Sequence, residues 1–210
     1  MGGRGSWGLS PLGWALAYLA VAAELAGVVG LWRPLGTLGV IHVPASAVPA
    51  FLLLVVFGAR LVPAARSWAP FLLWAAVVAA VPAWCFRDLF GGFDGFSGFV
   101  VAAVHEEVVF RAAFPVVVWR ILDGTGIVPA WSRMGAILLP AAVFAVLPNH
   151  LFQAAGAVGV LPFFTFALFF GLLVRSPSFI LPAALAHLSV NLLTVPVTHG
   201  FVSPGARAVA

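Results

Sequence analysis

Apolar residues in this chain come in long blocks. Seven can be read, at about residues 12–32, 46–65, 69–86, 98–121, 134–153, 156–174 and 178–197. Each is close to the roughly 20 apolar residues that an α-helix needs to cross a hydrocarbon core. Breakers or charges separate them: Arg33-Pro34, Arg66-Ser67, Arg87-Asp88 to Gly98, Asp123 to Arg133, Ala154-Ala155-Gly156 and Arg175-Ser176-Pro177. The second block is the least sharply drawn, bordered by Pro44, Pro49 and Pro63, with Arg60 near its end placed to snorkel. The short alternating segments of a transmembrane β-barrel are absent. The pattern predicts an all-α fold: one domain over 1–210, a polytopic membrane bundle of about seven transmembrane helices around a polar intramembrane cavity. No internal repeat or soluble domain interrupts it.

Composition agrees. The chain has 210 residues, 63% hydrophobic and 8% charged, with mean hydropathy +1.15. A soluble domain carries about three times that share of charge. The ten basic residues are all arginines near block ends, which fits membrane topology and not nucleic-acid binding. With the N-terminus inside, the inner side receives Arg4, Arg60, Arg66, Arg120, Arg133 and Arg175, and the outer side Arg33, Arg87 and Arg207. The partner surface is therefore a lipid bilayer, with no nucleic acid. The first block is too long for a cleaved signal peptide and reads as a signal anchor. Cys85 stands alone, which leaves no disulfide framework and no cysteine metal site. Alanine richness and arginine without lysine suggest a bacterial inner membrane.

Charge inside the fourth block changes the picture. His105-Glu106-Glu107-Val108-Val109-Phe110-Arg111 puts two acids and an arginine where burial in lipid is costly. Glu107 and Arg111 are four apart and share a helical face, so they can pair. Glu106 lies about 100° away and has no local partner. In the seventh block His187 and Asn191 are again four apart on one face. In the fifth, His150 follows the helix-bending Pro148. Glu106 stands about 13 Å into its span by helical rise. His150, His187 and Asn191 fall in the same leaflet when neighbouring helices run antiparallel. Concordant depth argues for one shared site, against three separate interhelical hydrogen bonds. Glu24 reads as a structural polar contact, His105 as peripheral, His42 and His199 as solvated, and Asn149 as a local cap. The zincin pattern His-Glu-x-x-His fails at Val109, and no Gly-x-Ser-x-Gly elbow is present.

Glu106-Glu107-Val108-Val109-Phe110-Arg111 resembles the Glu-Glu-x-x-x-Arg motif of the CPBP family, the CAAX-protease and bacteriocin-processing (Abi) intramembrane endopeptidases. The stretch from Ser178 through Pro182 to His187-Leu188-Ser189-Val190-Asn191 is similar to that family's last motif, His-x-x-x-Asn. The resemblance covers about residues 98–196. The middle motif departs from the family pattern. Counting Phe-x-x-x-His from Phe144 reaches Pro148, and His150 comes two residues later. Either the helix is kinked or bulged at Pro148, or the motif starts from Val146.

The resemblance implies an intramembrane endopeptidase acting on the C-terminal region of a membrane-associated or exported protein or peptide. It implies catalytic Glu106, His150, His187 and Asn191, supported by Glu107 and Arg111. Glu106 would activate water, His150 would hold it or position the peptide, and His187 with Asn191 would stabilise the oxyanion. No cofactor is expected. The alternatives are a zinc-dependent version using the same Glu and His residues, a non-catalytic scaffold or immunity-type protein, and a proton-relaying transporter. Against zinc, Glu107 is expected to be committed to Arg111 and so to offer little support to a metal-ligating histidine. The arginine count opens the cavity to the non-cytoplasmic side.

Overall fold

A computed structural model describes residues 7–31, 35–38, 41–61, 93–153, 159–174 and 176–200. Helix α1 runs Pro11–Val28. Ser10 caps it, its Oγ accepting from the Gly13 N–H at 3.2 Å, and Pro11 at the first position lacks an N–H that would have no partner there anyway. A short antiparallel hairpin follows, β1 (Gly36–Leu38) with β2 (Ile41–Val43), Thr37 facing His42. Helix α2 spans Ala47–Phe57 and ends in a 3₁₀ turn, Gly58–Leu61. The hairpin is a small addition to an otherwise helical fold. Block hydropathy has no resolution at three-residue strands. The expected third block, 69–86, lies outside the described residues.

The fourth block is where the helix changes its winding. Helix α3 (Phe93–Glu107) passes into a π-helical segment, Val108–Ala113, and continues as α4 (Phe114–Gly124). Pro115 explains the change. It has no N–H to give the Arg111 carbonyl, and its ring crowds that carbonyl. The ladder shifts one step, and the Phe114 N–H bonds the Val109 carbonyl. Such π segments concentrate at functional sites. Every residue from Val108 to Ala113 is buried, so the bulge sits at the centre of the bundle.

Gly126 (φ 76°) turns the chain into α5 (Pro129–Ala145). Helices α4 and α5 pack closely: a Cβ on Gly135 would stand 2.6 Å from Leu122 Cδ1. The expected fifth block, 134–153, is two helices. α5 ends at Ala145, and after two intervening residues α6 (Pro148–Gln153) begins. Pro148 opens the new helix and cannot continue the old one. Helix α7 (Val160–Leu173) packs on α5. A 3₁₀ turn, Pro177–Phe179, leads to α8 (Ile180–Gly200), which packs along α3.

Among the described residues one helix, α1, is by itself long and apolar enough to cross a bilayer, and α7 and the Ala47–Leu61 segment are shorter apolar helices. Large apolar side chains face outward on several helices, including Leu19, Val55, Leu161 and Phe169. A helix apolar on all sides suits an apolar surrounding.

Candidate active site

Four elements converge on one polar cluster inside the bundle. The end of α3 carries Glu106 and Glu107, the π segment Arg111, α6 His150, and the middle of α8 His187. The sequence reading grouped Glu106 with the two histidines and paired Glu107 with Arg111. The structure gives His187 both acids. Its Nδ1 stands 2.9 Å from Glu107 Oε1, and its Nε2 stands 3.6 Å from Glu106 Oε2. Glu107 is fully buried, whereas the Glu106 side chain keeps 13% of its surface.

Proton bookkeeping follows from the partners. A carboxylate accepts, so the Nδ1–H of His187 donates to Glu107. Nε2 then faces Glu106, as a lone pair on the neutral ring or an N–H on the imidazolium. A neutral His187 in this tautomer has no N–H left for an oxyanion. With Glu107 on Nδ1, only an imidazolium would present an N–H at Nε2. Glu107 stands to His187 as the buried acid of a hydrolytic triad stands to its histidine, fixing tautomer and orientation.

Arg111 approaches Glu107 from the other side, Nε to Oε2 at 3.4 Å. The contact is an ion pair without aligned hydrogen bonds, since Glu107 Oε2 and Arg111 Nε and Nη2 lack hydrogen-bond partners. The guanidinium also lies over the Phe144 ring, 4.9 Å from its centroid. Glu107 thus serves Arg111 and His187 together. The expectation that it is spent on Arg111 is corrected, and with it the argument that a histidine here lacks carboxylate support.

His150 is positioned by the break between α5 and α6. Its Nδ1–H donates to the Phe144 carbonyl at 2.6 Å, a carbonyl that Pro148, four residues on, cannot bond. Nδ1 must be the donor, because a carbonyl only accepts, so Nε2 of the neutral ring is left as an acceptor. The ring is stacked on Phe163 (centroids 4.4 Å, planes 14° apart) and lies 4.4 Å from Phe144. His150 is within electrostatic reach of Glu106 and His187. The break, and not a motif counted from Val146, brings this histidine inward. Asn191 lies one turn beyond His187 on α8, half-buried.

Phe144 was missed as a site residue. It is 1% exposed and touches Phe110, Arg111, His150, Phe166 and His187. In the sequence it is one phenylalanine of nineteen, and its only signal was its place at the head of the displaced motif. His105 is also corrected. It is buried and bonded to Ser46, not peripheral. Ser189 donates to the Leu185 carbonyl of its own helix at 2.8 Å and takes no part. The side chains of His42, Asn149 and His199 lie outside the described residues.

Beside the cluster, an apolar groove of about 280 Å³ opens between α3 and α8, lined by Val100, Ala103, Val104, Leu181, Leu185 and Leu188. Among the described residues no three His, Cys, Asp or Glu side chains are grouped as a metal site.

Residues 90–193 match the family model described as type II CAAX prenyl endopeptidase Rce1-like. That range includes all six of the site residues. Over these residues the chain is similar to that family. Its members are proteases and integral membrane proteins, so a peptidase cluster within a helical membrane protein is the family-level reading of this site. No curated protein and no solved structure matches the chain.

Proposed function

We propose that this protein is a multi-pass intramembrane endopeptidase that cleaves near the C-terminus of a membrane-associated substrate by metal-independent hydrolysis. The observation that carries the reading is the pair of carboxylates on opposite nitrogens of one buried imidazole. Glu106, the more open of the two, takes a proton from water held between its carboxylate and the Nε2 atoms of His187 and His150. Glu106 and His187 are 3.6 Å apart, a gap that a water touching both completes. Water attacks the peptide carbonyl, and negative charge gathers on oxygen. His187, charged through the proton passed from Glu106 and held at Nδ1 by Glu107, donates from Nε2 to that oxygen, with the Asn191 amide beside it. Collapse of the tetrahedral intermediate returns the proton to the leaving amine. Arg111 lies against the other oxygen of Glu107.

The α3–α8 groove supports a substrate with an apolar group next to the scissile bond. Its lining residues share their two helices with Glu106, His187 and Asn191, so binding and chemistry are in register. The protein is proposed to reside in a bacterial inner membrane, with the site open to the non-cytoplasmic side. The test uses purified protein with a farnesylated peptide ending in a CAAX-type sequence, and the same peptide unmodified. Cleavage by the parent, its loss in Glu106→Gln and preference for the farnesylated peptide are expected. Equal cleavage by parent and Glu106→Gln would overturn the assignment of the base.

A further inference from the structure

A second buried polar cluster lies on the opposite side of α3 from Glu107. Glu24 comes from the middle of α1, Ser46 from the residue before α2, and His105 from the last turn of α3. All three are buried, Ser46 completely. Ser46 Oγ donates to Glu24 Oε2 and lies 2.8 Å from His105 Nε2. The serine has one proton and gives it to the carboxylate, so the contact to His105 must be Nε2–H donating to Oγ. The same Nε2 stands 3.3 Å from Glu24 Oε2. Three segments far apart in sequence are thereby tied through one imidazole, and that imidazole is covalently next to Glu106.

The arrangement is not a serine nucleophile site. A hydrolytic triad places hydroxyl and acid on different nitrogens of the histidine. Here both meet Nε2, and the hydroxyl proton is already given away. Its position in the fold points elsewhere. Successive helical residues differ by about 100°. His105 therefore anchors α3 toward α1 and α2, and Glu107 anchors it toward α8, with Glu106 between them. The π segment begins at the next residue, Val108, where the winding is least regular. Glu24 is also within electrostatic reach of His150.

We propose that Glu24, Ser46 and His105 form a positioning network that sets the placement of Glu106, extending the active site to the N-terminal helices outside the residues that match the family. The inference rests on the protease reading for its kinetic consequence, but the placement of Glu106 can be read without a substrate. Two measurements are made on Ser46→Ala, Ser46→Thr and Glu24→Gln in the full-length protein. One is kcat and KM on the farnesylated peptide. The other is the rate at which a hydrophobic carbodiimide labels Glu106, read by mass spectrometry. Ser132→Ala, which removes a buried hydroxyl outside the network, is the control. The expected result is a kcat about ten- to a hundredfold lower in Ser46→Ala and Glu24→Gln, the cost of a misplaced catalytic group, with KM close to the parent's. Ser46→Thr, which keeps the hydroxyl, recovers most of the rate. Labelling of Glu106 changes in the two damaged variants and not in the control. Parental kcat together with parental labelling in both overturns the proposal. So does a loss of folded protein whose remaining molecules turn over at the parental rate. If no variant, parent included, cleaves the peptide while labelling still responds, the protease reading fails and the positioning network stands.

Discussion

Glu107→Gln leaves the Arg111 guanidinium buried beside an amide that carries no charge. Arg111 is 2% exposed and Glu107 is not exposed at all, so water cannot compensate. Removing one partner of such a pair costs about 3–5 kcal/mol. Against a total stability of about 5–15 kcal/mol, that is a large share. By the scaling for chains of this size, the unfolding midpoint falls by roughly 6–20 °C. The pair itself is worth little, because it lies at 3.4 Å and Arg111 Nε and Nη2 find no aligned acceptor. Replacing both residues should therefore be milder than replacing one, and Glu107→Gln with Arg111→Met should unfold close to the parent. The assay is thermal unfolding of detergent-purified protein by intrinsic tryptophan fluorescence, with yield from the membrane fraction recorded alongside. The double variant stays inactive, since His187 has lost the acid on its Nδ1. A single variant that unfolds with the parent, or a double variant less stable than the single, refutes the argument.

Glu106→Gln should keep parental yield and unfolding midpoint while losing peptide cleavage, because Glu106 keeps partial exposure and carries no buried cation; a matching loss of yield would assign it a structural role instead. Phe144→Ala should lose about 3–5 kcal/mol of stability and also activity, since the ring packs on Arg111 and both histidines, whereas Phe144→Leu should be milder. Exhaustive chelation should leave cleavage intact; full loss, restored by stoichiometric zinc, would make Glu106 and the two histidines metal ligands. In a Cys85→Ala background, cysteines introduced near Asp94 should be labelled from the non-cytoplasmic face and those near Asp123 from the cytoplasm, and the reverse pattern would invert the site.

Two kinds of information are separable in this molecule. Hydropathy is a sum over neighbouring residues, so the blocks that became α1, α7 and α8 were legible from the chain. Helical spacing is equally local, and it paired Glu107 with Arg111 before any coordinates did. The family motifs named Glu106, His187 and Asn191 for the same reason: each is a few residues at fixed offsets. What local reading could not supply was which nitrogen meets which acid. His187 and Glu107 are eighty positions apart, and their 2.9 Å contact exists because α8 packs along α3. That contact turned Glu107 from a structural anchor into the group that fixes a tautomer. The break after Ala145 was hinted at by Pro148, yet the direction in which His150 swings depends on a carbonyl freed in the preceding helix and on Phe163 across the gap. Ser46 gave no signal at all, because a single serine between two alanines becomes informative only when Glu24 and His105 arrive beside it. Local physics decided which segments are helical and where charge had to be hidden; the packing of those helices decided which charges meet, because hydrogen bonds in a bilayer-sized interior are made across elements that no window of sequence contains.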